Sequence, residues 1–154
     1  MTLSEMLTRE ISNLFDETFE EVKGIYLDRG TSLFETLATI SAEEASVPVS
    51  DTCASIAAQV EHVRFYLDVI ERAMRGEEIG KVNWDDTWQV ESVTDEEWAE
   101  SNARLRNAYG SVRDLVESFD DWMGEDQIAG ALAVIVHTAY HLGEIRQALC
   151  TVRQ

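Results

Sequence analysis

Apolar residues follow a helical spacing almost from end to end of this chain. Its 154 residues include one proline and eight glycines, the two residue types that most often interrupt helices. Apolar side chains recur at intervals of three and four residues, and no segment alternates apolar and polar residues as a half-buried strand does. The pattern predicts an all-α fold.

Capping boxes mark the start of two predicted helices. In this motif a Ser or Thr and a Glu three residues later satisfy each other's backbone N–H groups. One box begins at Thr2 and another at Thr94. We expect the first helix to continue through Gly24 and end at Gly30, and the third helix to run from the Thr94 box to Gly124.

The second predicted helix begins at Ser50 or Asp51 and runs to about Arg75, where Gly76 is a typical C-terminal stop. A fourth helix follows Gly124. Together these elements predict a four-helix bundle that forms a single domain over residues 1–154. A helix that is apolar or small nearly all round, as the fourth one is, is typically buried on two faces. We therefore expect a homodimer formed through helix faces.

Helices 2 and 3 are joined by a long polar segment, residues 76–93, that contains Trp84 and Trp88. A connection of this length can carry the chain back along the bundle and leave the two helices parallel. Long irregular connections often cover a functional site. The alternative is a passive crossover whose tryptophans fill a gap at the bundle end, and both interpretations remain open at this point.

The charge balance excludes several classes of partner. There are 30 acidic and 12 basic residues, and the formal net charge is −18. A nucleic-acid-binding chain needs a basic stripe, and an anionic membrane surface repels an acidic protein. Residues 1–23 have no signal-peptide pattern, and the longest apolar stretch is too short to span a bilayer. We expect a cytoplasmic protein with a small-molecule substrate.

All three histidines of the chain fall within predicted helices. His137 and His141 are four residues apart, so their imidazoles lie on one helix face and can bind the same metal ion. Small residues beside them leave open space. His62 lies midway along the second helix and is level with the pair if the two helices are antiparallel. The alternative is a set of buried core histidines without a metal.

Other metal sites fit the sequence poorly. A ferritin-like site needs Glu three residues before its histidines, and a zincin needs His-Glu-x-x-His, whereas residue 138 is Thr. Cys53 and Cys150 each lie nine residues from a histidine, too far along a helix to share its metal. We expect the two cysteines to be inert buried thiols; the alternative is a disulfide that forms under oxidation, since both can lie near the same bundle end.

The histidine segments resemble the DinB/YfiT-like superfamily of metal-binding four-helix bundles. Its last helix carries His-x-x-x-His followed by Gly, a polar residue and an aliphatic residue. Here the segment is His137-Thr-Ala-Tyr-His141-Leu-Gly-Glu-Ile. The family's first ligand lies midway along helix 2 before an aromatic-rich stretch, as His62 does in His-Val-Arg-Phe-Tyr. One departure is Glu144, where glutamine is common in the family.

The resemblance implies a divalent ion held by three neutral imidazoles, with its other positions open to water or substrate. Zinc, nickel and iron all suit such ligands. Several members of this superfamily resemble thiol-dependent transferases or isomerases that use a low-molecular-weight thiol. Other members resemble hydrolases. Tyr140 and Glu144 are the candidate catalytic residues. Glu144 has three open roles: it orients a ligand imidazole, acts as a base, or adds charge near the metal.

Two alternatives to a metal-dependent enzyme remain. One is a non-catalytic, stress-associated helical bundle whose metal is structural or vestigial. The other is a dimerisation module with core histidines and no metal. An open coordination position beside a cleft is typical of a catalytic metal, whereas four protein ligands around the ion are typical of a structural one.

Overall fold

The computed structural model describes residues 1–154 and contains only helices, turns and loops. The all-α prediction is therefore confirmed. A π-helical turn, Asp16–Glu20, follows the first helix, and a short 3-10 helix, Trp84–Trp88, lies in the long connection. The six α-helices are α1 Leu3–Phe15, α2 Leu33–Leu37, α3 Ala42–Ser46, α4 Ile56–Met74, α5 Asp95–Glu117 and α6 Gln127–Val152.

Both predicted capping boxes are confirmed. The Thr2 and Thr94 side chains each accept a hydrogen bond from the backbone N–H three residues later, and the Glu at that position accepts one in return. The same motif begins α2 at Ser32 and α3 at Ser41. Four of the six helix starts are thus set by local sequence.

The prediction that the first helix continues through Gly24 to Gly30 is wrong. α1 ends at Phe15, and the π-helical turn ends at Glu20. Gly24 adopts a φ of +87°, which no helix interior allows. The cause is Glu17, whose fully buried carboxylate accepts hydrogen bonds from the five successive N–H groups of residues 23–27. Because of these contacts, residues 23–27 wrap around the Glu17 carboxylate and the helix does not continue.

The remaining helix ends agree with the sequence in part. α4 begins after Ser55 rather than at Ser50 or Asp51. It ends before Gly76, as predicted, and Gly76 has a φ of +79°. α5 ends at Glu117 rather than at Gly124.

Contacts along the long helices fix their relative directions. Ion pairs and hydrogen bonds join residue 61 to 104 and residue 71 to 111, so α4 and α5 are parallel, as expected from the long connection. Contacts join residue 59 to 141 and residue 66 to 137, so α4 and α6 are antiparallel. α4 therefore packs between two long partners and presents one side to α6.

One hydrophobic core of 29 buried residues extends through the helices. At its centre the ring of Phe19 stacks on Tyr109 with centroids 4.3 Å apart, and Phe15 and Phe34 contact the same tyrosine edge-on. The indole N–H of Trp122 donates to Thr8 Oγ1 at 3.0 Å and ties the α5–α6 connection to α1.

The α6 helix differs from the others in composition. It is long and apolar enough to cross a membrane by those two criteria alone, and 44% of its most apolar window is buried inside the protein. A core helix passes the same test. One face packs against α4, whereas Val136 and Tyr140 lie on another face and are 67% and 62% exposed.

Candidate metal centre

The antiparallel pairing of α4 and α6 brings the three histidines together. His62 comes from the middle of α4, and His137 and His141 come from successive turns of α6. One nitrogen from each imidazole lies within 4.8 Å of the other two. The predicted convergence of these residues is therefore confirmed, and the group has the ligand type and spacing to hold one metal ion.

Thr87 determines which nitrogen of His62 is free. The Thr87 hydroxyl donates to the Trp84 carbonyl at 2.7 Å, so its oxygen accepts from His62 Nδ1, which is 2.8 Å away. The proton is then on Nδ1, and the Nε2 lone pair is free to bind a metal ion. Trp88 stacks on the same imidazole with centroids 4.0 Å apart. Of the two interpretations of segment 76–93, the structure supports the one in which it covers a site.

His141 is oriented in the same way by two acceptors. Its Nδ1 lies 2.6 Å from Gln59 Oε1 and 3.0 Å from Glu144 Oε2. An amide oxygen and a carboxylate both accept, so the proton again belongs on Nδ1 and Nε2 is free. Glu144 therefore contacts a candidate ligand directly, which matches the orienting role among the three that were open.

His137 is positioned by stacking rather than by a hydrogen bond. Its ring lies nearly parallel to that of Tyr66, with centroids 3.6 Å apart, and its buried Nδ1 has no partner. Its Nε2 lies 3.2 Å from His62 Nε2. Two nitrogens on a tetrahedral ion with Zn–N bonds of about 2.0–2.1 Å are roughly 3.3 Å apart. This pair is thus close to the spacing that a zinc ion requires.

Burial keeps the imidazoles neutral. Desolvation, followed by the proximity of His141, lowers the pKa of His62 to about 4. Desolvation and the two neighbouring histidines lower the pKa of His137 to about 3. The pKa of His141 is also lowered by burial, with Glu144 acting in the opposite direction. Neutral imidazole is the form that binds metal ions, so no proton competes for the site near pH 7.

An open groove lies beside His141. Two neighbouring cavities of about 530 and 600 Å³ share five lining residues, which include Gln59, Tyr140 and Glu144. His141 and Trp88 line the second of these cavities. The Glu144 carboxylate raises the pKa of the adjacent Tyr140 phenol, so this hydroxyl remains a proton donor at neutral pH. Both candidate catalytic residues therefore line a space large enough for a small molecule.

The structure adds residues that the sequence did not single out. Thr87 orients the His62 imidazole, and no sequence motif distinguishes it from other Thr residues; Tyr66, which stacks on His137, lies in the aromatic-rich stretch after His62 but was given no role there. Cys53 is exposed in the groove and Cys150 is also exposed, so the prediction of two buried thiols is wrong. The cause is that α4 begins after Cys53 and leaves it in a loop. Gly143 has open space around its α-carbon, and nothing in the structure explains the glycine.

Comparison of the chain with protein-family models, with curated proteins and with solved structures finds no match.

Proposed function

We propose that His62, His137 and His141 bind one divalent metal ion and that the protein is a metal-dependent enzyme of the DinB/YfiT-like superfamily. The observation that carries the proposal is the hydrogen bonding of the imidazoles. Nδ1 of His62 and Nδ1 of His141 both face acceptors, which leaves the Nε2 lone pairs of both imidazoles unprotonated, with that of His62 3.2 Å from His137 Nε2. A histidine that binds a metal ion through one ring nitrogen usually donates a hydrogen bond from the other.

Three imidazoles without a thiolate or carboxylate suit zinc, nickel or iron. Three protein ligands leave room for a further one, which is the arrangement of catalytic rather than structural sites. A metal ion at such a site supplies Lewis acidity, which activates water or a thiol as a nucleophile at neutral pH. The proposed reactions are accordingly thiol-dependent transfer or isomerisation, with a low-molecular-weight thiol, or hydrolysis.

The groove favours an enzyme over a bundle with a structural metal. Glu144 contacts Nδ1 of His141, and the Tyr140 phenol beside Glu144 lines the same groove. The Trp84–Trp88 segment covers His62 and keeps water from that side of the site. A purely structural ion needs none of this open space. The four longest helices, in the order expected for the superfamily, support the same assignment.

Metal analysis of protein purified without a histidine tag tests the proposal. We expect one divalent ion per chain and a higher melting temperature after zinc or nickel is added. The His141→Ala variant should lose the ion and keep its helix content by circular dichroism. A matched control is Gln147→Ala, an exposed substitution on the same helix. No stoichiometric ion, together with unchanged melting in zinc and nickel, would overturn the metal site.

A further inference from the structure

The α6 helix leaves a long uncharged face open to solvent. Residues 127–143 include no charged side chain, although the chain as a whole has a net charge of −18. The large exposed side chains of this face are spaced four residues apart and form an apolar stripe of Ile128, Leu132, Val136 and Tyr140. On so acidic a chain, this is the face that another protein surface can cover without burying unpaired charges.

The stripe and the groove beside His141 share a residue. Tyr140 lies at the end of the stripe and also lines both cavities of the groove. Gly143 follows within one turn and lines the first cavity, and a Cβ added there would meet nothing within 4 Å. Glycine in a helix interior is unfavourable relative to alanine, and a conformationally ordinary one is explained by close approach of another surface. A molecule that packs along the stripe therefore reaches the groove.

Unpaired charges of opposite sign lie near the two ends of the stripe. Glu125 precedes α6 and Arg146 follows Gly143 in the last part of the helix; both are exposed, and neither side chain forms an ion pair or hydrogen bond within the chain. Such a face is complementary to a second copy of itself turned end to end about a two-fold axis. A parallel pairing would instead place like charges together, and the helix dipoles also favour the antiparallel arrangement.

The helix rise gives the register of an antiparallel pairing. A two-fold axis through the midpoint of the stripe, at Val134, places Ile128 level with the partner's Tyr140. Glu125 and Arg146 lie about 13.5 Å and about 18 Å from that midpoint, in opposite directions. The partner's Arg146 is then displaced from Glu125 by only about 4.5 Å along the axis, which is within reach of an arginine side chain.

We infer that a second copy of this chain packs antiparallel along the stripe and that the partner's Met123 forms the outer wall of the groove. In the register above, the partner's residues 121–125 lie opposite Gly143 and Gln147, which both line the groove. Met123 is 84% exposed, more than any other large hydrophobic residue of the chain. The two-fold axis makes two equivalent grooves, each of which is completed by the other copy. The inference does not depend on the proposed metal ion.

Disulfide trapping in metal-free protein tests the direction of pairing. Cys53→Ser and Cys150→Ser first remove the two native exposed thiols. Ile128→Cys combined with Tyr140→Cys should then give a covalent dimer on mild oxidation, because level positions of paired helices come within disulfide distance. Each single variant should remain uncross-linked on a non-reducing gel, since its two copies lie about 18 Å apart along the axis. Ile25→Cys, at an exposed isoleucine elsewhere, is the control for random collision.

Cross-linking of the single variants would show a parallel pairing and overturn the inference. Absence of cross-linking in the double variant would overturn it as well, because the stripe would then not meet a second copy in this register.

Charge reversal tests the complementarity of the two ends. Glu125→Arg and Arg146→Glu should each weaken dimerisation by about threefold to tenfold, measured by sedimentation, because each substitution places like charges opposite one another. The two substitutions together should restore the affinity. Glu96→Arg, which reverses an exposed charge on α5, should not weaken the dimer. Additive weakening without restoration would contradict the proposed pairing.

The thiol of Cys53 reports whether the partner walls the groove, because this residue lines both cavities. With Cys150 replaced by Ser, Cys53 should react severalfold more slowly with an aromatic disulfide reagent in the dimer than in a monomeric Leu132→Lys, Val136→Lys variant. Met123→Ala should accelerate the reaction while the protein remains a dimer. Met6→Ala, at another exposed methionine, should leave the rate unchanged.

Equal Cys53 reactivity in dimer, monomer and Met123→Ala would show that the partner does not wall the groove. None of these measurements uses a metal ion, and metal uptake is measured separately. Failure of the two-fold pairing and failure of the metal site are therefore distinguishable.

Discussion

Thr87 is the residue whose contact most directly prepares an imidazole for a metal ion. It comes from the connection between α4 and α5, is 3% exposed, and fixes the proton of His62 on Nδ1. Because its own hydroxyl proton is used by the Trp84 carbonyl, its oxygen can only accept from the imidazole. A single hydroxyl therefore sets both the ring orientation and the tautomer of His62.

Removal of this acceptor should weaken the metal site. We expect Thr87→Val to lower zinc affinity by about tenfold or more, as loss of such outer contacts typically does, because the His62 ring loses its orienting bond. Competition with a chromophoric chelator measures the change. Thr87→Ser should restore most of the affinity, and Thr52→Val, at an exposed threonine, is the matched control. Unchanged affinity in Thr87→Val would show that stacking on Trp88 alone orients the ring.

At the scale of elements, the end of α1 is decided by one buried carboxylate. Glu17 accepts five backbone hydrogen bonds from residues 23–27 and is 0% exposed. Burial alone would raise its pKa, but the backbone donors from Leu27, Tyr26, Lys23 and Ile25 outweigh it and lower the pKa to about 2. The loop that follows α1 is thus organised around a charge.

Linkage turns this depressed pKa into stability. The pKa of Glu17 is about 2 in the folded protein and lies below the ordinary value of 4.5. Above pH 4.5 the ionised carboxylate therefore contributes about 3 kcal/mol to the free energy of unfolding. This contribution is lost as the pH falls from 4.5 to about 2. We expect Glu17→Gln to lower the free energy of unfolding by about 2–3 kcal/mol at pH 7, measured by urea denaturation.

Acidification provides a second measurement of the same charge. The stability difference between the native protein and Glu17→Gln should shrink as pH falls from 4.5 toward 2. Glu21→Gln, at an exposed residue of the same segment, is the control and should change stability little. A difference that stays constant down to pH 2 would mean that the variant loses packing rather than a charge.

At the scale of the whole molecule, α6 has an apolar face that no helix of this chain covers. Its exposed residues are spaced four apart, and no charged residue lies between Asp126 and Glu144. An uncharged, apolar stripe of this length is typical of a protein interface. The stripe consists of Ile128, Leu132, Val136 and Tyr140, which are 42%, 46%, 67% and 62% exposed.

We expect the stripe to form a homodimer interface. Leu132→Lys combined with Val136→Lys should convert a dimer to a monomer, because an interface core excludes unpaired charges. Light scattering after gel filtration at tens of micromolar protein measures the mass. Ile25→Lys adds the same type of charge at an exposed isoleucine elsewhere and should leave the dimer intact. A monomeric native protein at that concentration would contradict the prediction.

The sequence alone determined the helical class, the capping boxes at Thr2 and Thr94, the end of α4 at Gly76 and the three histidines that converge. These features depend on interactions within one or two helical turns, or on pairs of residues that a helix must place on one face.

Only the tertiary structure decided where α1 ends, which residues orient the imidazoles, and that an open groove lies beside His141. Gln59 and His141 are 82 residues apart, and His62 and Thr87 are 25 apart. Such contacts depend on how separate elements pack, and no local pattern encodes them. Even the nearby Glu17 contacts escaped prediction, because helical periodicity alone does not indicate when a buried carboxylate will capture the backbone N–H groups of the following loop.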